Sequence, residues 1–538
     1  MNSEPNDGTA PHNNQSEAKQ WFRAWRYLFY LLGLVAVVLV FYGEEDWRGY
    51  HAWQKYKEHI TAQGGRIEPE SFIPAPVPDE ENFAMSPVLA PLFDFEPGTQ
   101  HWRDTNAPHA FQPLTSRFES AANMVKQPSV PRANTWVRPA TDLDAWAWAF
   151  AQAPHTRAKE PAAIAASHIS SPESATTVLN ALADFSPALD QLRAASQRPY
   201  SRFNLQYQEE NPAAILLPHL ARLKYLCQIL QLRASAELAL DRTADAHSDV
   251  LLMLKIIDAT RSEPILISQL VRISEFQMFL QPFAEGMGKW SEPQLQTLQQ
   301  HLQTTDFLQD MSHALAAERV LFGGGVIEYV RRSPKKMNVA EMFGGGEDNQ
   351  GQGLWSMGPF LAAAPQGWFY LEELNYSRLF EQYVQPVIDL TNRVVKPSEA
   401  RQSGEALTAK ISGSPASRML RHNFFSSMLL PAVSKFSQKA AFGQTSVDVA
   451  VIACALERYH MAHAKFPASL SELVPQLLPV LPHDVINGQP LSYKLDRDDQ
   501  YVLYSVGWNE TDDRGTIKQT KSGGVEQTQG DWVWSNSF

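Results

Sequence analysis

Arg222-Leu-Lys-Tyr-Leu-Cys-Gln-Ile-Leu-Gln-Leu-Arg-Ala-Ser-Ala-Glu-Leu-Ala-Leu240, the turn Asp241-Arg-Thr243, and Ala244-Asp-Ala-His-Ser-Asp-Val-Leu-Leu-Met-Leu-Lys-Ile-Ile257 decide the architecture of this chain. Apolar residues recur at helical spacing on both sides of the turn, and two striped helices joined by so short a loop lie antiparallel. The pattern extends from Thr141 to about Arg332, with further helices expected at Pro264 to Gly286, Glu292 to Thr304 and Thr305 to Val320. Ser291-Glu292-Pro293 fits an N-cap followed by proline in the first turn. Trp368 to Val394 returns to helical periodicity, and Lys396 to Gly413 reads as a linker. The fold class is therefore mainly α, with an irregular helical body that is either a bundle or repeat-like.

With 538 residues, 44% of them hydrophobic, the chain can bury two or three cores. Its formal net charge of −12 opposes nucleic-acid binding, which needs clustered Lys and Arg to neutralise phosphates. The densest basic run, Arg331-Arg-Ser-Pro-Lys-Lys336, reads as a solvated loop. The two cysteines, Cys227 and Cys454, sit in apolar helical patterns and read as buried thiols; spacing leaves a disulfide between the two regions open.

Toward the N-terminus, Tyr27-Leu-Phe-Tyr-Leu-Leu-Gly-Leu-Val-Ala-Val-Val-Leu-Val-Phe-Tyr42 is uncharged throughout. Extended back through Trp21, Phe22 and Trp25 it makes a helix of roughly 33 Å, enough to cross a bilayer. Lys19, Arg23 and Arg26 precede it and Glu44, Glu45 and Asp46 follow, so the basic-residue bias places the N-terminus in the cytoplasm and exports the rest. A cleaved signal peptide is the competing reading, but Phe41-Tyr-Gly-Glu-Glu45 lacks the small residues that cleavage requires. Residues 1–20 read as a disordered cytoplasmic tail, 21–43 as the transmembrane helix, and 44–140 as a stalk and proline-rich arm. Trp47, Tyr50, Trp53, Tyr56 and Ile60 recur at helical distances up to Gly64-Gly65, and the phenylalanines of the arm (Phe72, Phe83, Phe93, Phe95) are expected to pack on the body. The body then covers 141–395, a linker 396–423, and a last module 424–538.

That module has another texture. A long helix carries Phe442, Thr445, Val449, Ile452, Leu456 and Tyr459 on one stripe, and Leu491 to Leu495 and Tyr501 to Val506 form a β-hairpin. A short strand is expected at Trp532-Val-Trp534. Tyr459, Phe466-Pro467, Leu470 with Leu473, Leu481-Pro-His-Asp484, Gly488 to Tyr493 and Tyr504-Ser-Val-Gly507 resemble, in order, the globular domain of the major pseudopilin of type II secretion. The resemblance implies a small pilin-like α+β fold and a bacterial, envelope-located protein. The chain departs from that family in lacking the processed leader and stacking helix directly before the module. The resemblance also implies a calcium loop, whose ligands here would be Asn509, Asp512 and Asp513 with Asp531 returning near the C-terminus. Separately, residues 222–257 resemble one tetratricopeptide-type hairpin, without that family's early Trp and late Pro.

Chemical motifs are sparse. His460 and His463 stand three apart, a spacing that can present two imidazoles, but no zinc-protease glutamate accompanies them; His463 is expected on the apolar stripe with His460 beside it. Gly344 to Gly353 precedes no Lys-Ser/Thr pair, and no nucleophile elbow or nucleotide fingerprint occurs. Glu318 and Glu328 flank Gly323-Gly-Gly325 without any further mark of a catalytic pair, so no catalytic residue is assigned. No cofactor is required, and calcium is the one candidate ion. The reading is a single-pass inner-membrane protein of the bacterial envelope, its body periplasmic, acting as a non-catalytic scaffold that binds an envelope protein. The alternative is a membrane-anchored envelope hydrolase with its site in the helical body.

Overall fold

The computed structural model describes residues 14–96, 98–106, 112–125, 140–153, 171–333, 358–433, 435–497, 500–520 and 525–536. Among the described residues it is mostly helical, 65%, with a few small sheets. Two compact units are present, one formed by residues 1–65 and 327–375 and the other by 66–326 and 376–538.

In the first unit, helix α1 (Asn14–Ala62) runs unbroken for 49 residues, so anchor and stalk are a single helix. It begins inside the stretch expected to be a disordered tail, of which residues 1–13 lie outside the described residues. Along the stalk Trp53, Tyr56 and Ile60 are buried, while Trp47 and Tyr50 stay exposed. Gly64, at φ 76°, supplies the left-handed turn that ends the helix.

In the second unit the proline-rich arm forms short 3₁₀ turns at Pro69–Phe72, Asp79–Glu81, Phe83–Met85 and Ala90–Phe93. Phe72, Phe83, Phe93 and Phe95 are buried as expected. Asn82 fastens the arm: its side chain donates to the Arg202 carbonyl and accepts from the Arg202 N–H, both at 2.8 Å. The arm also contains a full helix, α2 (Gln112–Met124), longer than its proline content suggested.

Helices α3 (Leu143–Gln152), α4 (Pro172–Leu182), α5 (Ser186–Ala195), α6 (Pro218–Ala239) and α7 (Thr243–Asp258) follow. The α6–α7 pair is the expected hairpin, turned by Asp241 at φ 56°. Next come α8 (Leu266–Glu285), α9 (Glu292–Leu302) and α10 (Phe307–Ala317). The Ser291 cap of α9 is a reciprocal capping box with Gln294. Beyond Ala317 the chain does not stop but winds into a π-helical turn, Glu318–Gly324, and then α11 (Gly325–Arg332).

After α12 (Gly358–Ala363) and α13 (Gln366–Tyr383) the structure departs from the sequence reading twice. Residues up to Val394, expected to be helical, instead form a minimal antiparallel pair, β1 (Ile388–Asp389) with β2 (Val394–Val395). The expected linker is largely helix α14 (Pro397–Ile411), whose Leu407 and Ile411 bury one edge. α15 (Pro415–Leu420), α16 (Phe424–Val433) and α17 (Phe436–His463) complete the helices.

α17 is covered along most of its length, packing on α8, α9 and α10. Small residues make this fit: Ala440, Ala441, Gly443, Ala450, Ala453 and Ala455 are all buried. The expected β-hairpin is present as β3 (Ser492–Arg497) and β4 (Gln500–Ser505), with Ser492 opposite Tyr504. Beyond β5 (Ile517–Gln519) and β6 (Val525–Gly530), a separate hairpin that the sequence did not announce, comes β7 (Trp532–Ser535). β7 adds to β4, giving the order β3-β4-β7. Trp532 packs edge-on against Phe442 of α17 at 5.3 Å, and Trp534 reaches Phe283 of α8 at 5.8 Å. The last module therefore shares one compact unit and one core with the helical body.

Candidate functional site

The first candidate surface is the apolar band of α1. The band is rich in Leu and Val, and from Tyr27 to Phe41 its large side chains face outward, Tyr27 being 71% exposed and Val40 72%. Exposing such a band to water has a high free-energy cost, whereas hydrocarbon accepts it. Aromatic rings flank it: Trp21 and Trp25 in edge contact at 5.5 Å on one side, Phe41 and Tyr42 at 6.1 Å on the other. Past the band, Arg48 pairs with Glu44 at 3.2 Å and with Glu45. Two other stretches, Pro212–Ala239 and Phe424–His463, are long and apolar enough to cross a membrane, but about half of the first and nearly all of the second is buried inside the protein.

The second candidate is a polar seam between α6, α7, α8 and α10, which the sequence reading missed. His219 Nε2 lies 2.8 Å from Glu263 Oε1, and the Ser268 hydroxyl donates to Glu263 Oε2 at 2.5 Å. This order decides the chemistry. The hydroxyl donates to the carboxylate and not to the imidazole, which is not the order of a serine–histidine–carboxylate triad. His219 is enclosed by the rings of Phe203 at 4.2 Å and Phe93 at 5.4 Å.

Further along the seam Arg272, fully buried, donates from Nε to the Ile257 carbonyl at 2.9 Å. Its Nη1 donates to Gln269 Oε1 at 2.7 Å and Asp310 Oδ2 at 3.0 Å. Asp258 stands 3.6 Å from its Nη2 and 2.8 Å from His301. Burial pushes the Asp258 carboxyl up, but His301, Arg272 and Arg261 outweigh burial and hold it below the usual carboxylate range. Glu275 has the reverse fate. Neither of its oxygens has a hydrogen-bond partner among the described residues, and burial raises its carboxyl well above the usual range. Ser268, Arg272 and Glu275 recur at steps of four and three on α8, the spacing of one helical face. That polar stripe reads as a solvated face in sequence, and here it points inward.

Asp249 of α7 is likewise buried, held by Arg193 and by Arg233 Nε at 3.0 Å, with burial pushing it up to about 6. Of the pair of acids noted around the glycine run, Glu328 is bound by Arg331 and Arg332, which outweigh burial and hold its carboxyl low. Glu318 opens the π-turn, and burial pushes it up to about 7. The turn packs tightly: a Cβ at Gly323 would fall 2.1 Å from the buried Tyr376 ring. Burial, and then the Glu318 charge, raise the Tyr376 hydroxyl well above its ordinary value.

The C-terminal acidic turn gathers the four residues named from sequence, but through backbone donors. Asp531 Oδ1 accepts from the Asp513 N–H at 3.1 Å and Oδ2 from the Gly515 N–H at 2.6 Å. Asn509 Nδ2 donates to Asp513 Oδ2 at 2.8 Å, and Tyr504 OH donates to Asp512 Oδ1 at 3.1 Å. Among the described residues no group of three or more His, Cys, Asp or Glu side chains is arranged to hold a metal ion. His463 is exposed, not on the buried stripe, and stacks on Tyr459 at 4.1 Å, while His460 stacks on Phe466 at 4.5 Å. Both cysteines are buried free thiols. Asp484, noted only as part of a pattern, is a buried staple that accepts from Ile486 N at 2.9 Å, Ser505 Oγ at 2.8 Å and Val506 N at 3.0 Å. The run Gly344 to Gly353, and Lys335 and Lys336 of the basic run, lie outside the described residues. No family model matches the chain, nor does any curated protein or solved structure.

Proposed function

We propose that this protein is a single-pass membrane protein of the bacterial envelope whose body, carried outside the cytoplasm on α1, works as a non-catalytic scaffold for an envelope protein. The observation that carries this reading is the outward-facing apolar band of Tyr27 to Phe41 on a helix continuous with the stalk. Tethering raises the local concentration of the body at the membrane without any chemistry. The buried seam supports the scaffold over the hydrolase, because its hydroxyl, imidazole and carboxylate are not in the order of a catalytic triad and Arg272 is taken up by Asp310 and Asp258. A long helix followed by an antiparallel hairpin and a third strand supports the pilin-like reading of 424–538.

The test is alkaline carbonate extraction of membranes containing the full chain, followed by protease treatment of spheroplasts. The protein is expected to stay with the membrane and to lose its body to external protease. Release by carbonate would remove the anchor, and protection of the body would reverse the topology. Calcium belongs to the same reading of the C-terminal turn, with Asn509, Asp512, Asp513 and Asp531 as its ligands. To take an ion, the turn must give up the contacts it makes to its own backbone, so calcium should shift Tm upward only with that rearrangement. A Tm unchanged by millimolar calcium, in a scan where chelator also has no effect, would discard the ion.

A further inference from the structure

We infer that α12 is a second membrane contact, an interfacial foot lying in the headgroup region beside the point where α1 leaves the bilayer. The inference rests on the reading of α1 as the anchor. Tyr42 closes the apolar band, and its hydroxyl donates to the carbonyl of Ala363, the last residue of α12. A helix of six residues is about 9 Å long, so α12 reaches no further than about that from its contact with the Tyr42 hydroxyl. This is the depth to which interfacial helices sit in the headgroup and acyl boundary.

Two glycines fix that placement. α1 and α13 cross backbone to backbone, where a Cβ on Gly49 would come 2.2 Å from the Gly367 carbonyl oxygen and one on Gly367 1.9 Å from the Glu45 carbonyl oxygen. The Gly367 N–H donates to Asp46 Oδ1 at 2.7 Å, and Tyr50 meets Tyr370 edge-on at 5.7 Å. With α13 held this closely, the segment before it has little freedom to leave α1.

The composition of α12 suits lipid. Gly358-Pro-Phe-Leu-Ala-Ala363 has no polar side chain. Leu361 is buried and Phe360 touches Trp368 at 5.5 Å, yet Phe360 remains 39% exposed and Pro359, Ala362 and Ala363 face outward. This outward face continues the apolar band of α1 at the level of Tyr42, and the bilayer that takes the band is the one occupant that would also meet this face. Arg331, whose Nη1 donates to Gln366 Oε1 at 2.8 Å, and Arg332 pair with Glu328, Glu373 also acts on Arg331, and Arg48 pairs with Glu44 and Glu45, so the charges near the foot are balanced and the inference rests on its apolar outward face.

The test uses the full chain in vesicles of phosphatidylethanolamine and phosphatidylglycerol with brominated acyl chains. A polarity-sensitive fluorophore is attached in turn to Val38→Cys in the band, Phe360→Cys in the foot and Glu58→Cys on the exposed stalk; the native thiols are buried. Quenching and blue-shifted emission at 38 and 360, with neither at 58, is the expected result. Quenching at 38 with 360 behaving like 58 overturns the foot and leaves the anchor standing. An unquenched label at 38 removes the anchor and the foot together. Should Phe360→Cys disturb folding, Ala362→Cys, exposed on the same short helix, reads the same level, and a label there that behaves like 58 overturns the foot equally.

Discussion

Arg272 shows how much single side chains carry in this fold. Its guanidinium donates to a carbonyl, an amide oxygen and a carboxylate, and lies over the Phe307 ring at 5.1 Å. Replacing it with Met fills the volume but takes a buried partner from Asp258 and Asp310, which keep His301 at 2.8 Å and Arg261 at 3.3 Å, and breaking a buried pair from one side costs up to about 3–5 kcal/mol. Arg272→Met is therefore expected to lower the urea midpoint of the chain without residues 1–43 sharply; a shift under about 1 kcal/mol, the range of exposed ion pairs, would mean that the seam is solvated. Glu318 gives a pH signature. Its folded pKa is raised from 4.5 to about 7, so the folded state holds the proton more tightly than the unfolded chain. The associated stability is complete below about 4.5 and is lost as pH rises through about 7. Tm measured from pH 4 to pH 8.5 should fall across that window, and Glu318→Gln should flatten that part of the curve. Asp258, held low, acts in the opposite sense: its contribution is present above the ordinary carboxyl value and disappears as pH drops below it.

Two glycines in helical segments make opposite predictions at the level of elements. Gly404 lies inside α14 with open space where a Cβ would go, so Gly404→Ala should stabilise by about 0.5–1 kcal/mol through helix propensity alone. Gly323 lies in the π-turn against Tyr376, so Gly323→Ala must displace a buried ring and should destabilise by about 1–3 kcal/mol. Chemical denaturation of both variants reads the pair; a neutral Gly323→Ala would mean that the turn relaxes to a regular helix. The same elements mark what was legible in the sequence. The α6–α7 hairpin, the N-cap at Ser291 and the β3–β4 hairpin stood out because periodicity and turn chemistry agreed. α14 did not, because Pro397, Gly404 and its many polar residues resemble a linker and only Leu407 and Ile411 show the face it buries. β5 and β6 are too polar to register as strands. The seam was hidden for a related reason: polar residues at helical spacing suggest a surface until a partner helix is known to cover them. In the acidic turn Asp531 accepts from backbone N–H groups, and spacing says nothing about whether carboxylates face an ion or the backbone.

At the scale of the molecule, the decisive question is whether residues 424–538 can be removed as a module. Their texture differs from the rest of the chain, and a pilin-like unit fused to a helical body ought to be separable. The packing argues otherwise. α17 lies against α8, α9 and α10, and Gly443 meets Ile273 and Phe307 so closely that a Cβ would come within 3.0 Å of the Ile273 side chain. Polar contacts cross the same boundary: the Phe307 N–H donates to Gln444 Oε1 at 2.8 Å, and Arg458 donates to Glu292 at 2.9 Å and Gln299 at 3.1 Å. Truncation before Phe424 would therefore uncover the apolar faces of three helices and leave the Phe307 N–H and Glu292 without these partners. At roughly 1.5–3 kcal/mol for each large side chain newly exposed, the loss exceeds the 5–15 kcal/mol that holds a domain together. The body without residues 1–43 is expected to be soluble and to unfold cooperatively. The same body also lacking 424–538 is expected to aggregate or to show helical circular dichroism with no cooperative transition. If the shorter chain melts sharply and stays monomeric, the helical body folds by itself and α17 is an addition to a finished core. If it collapses, residues 424–538 are built into the body, and the role of one part cannot be assayed by deleting the other; point substitutions on exposed residues of each must be used instead.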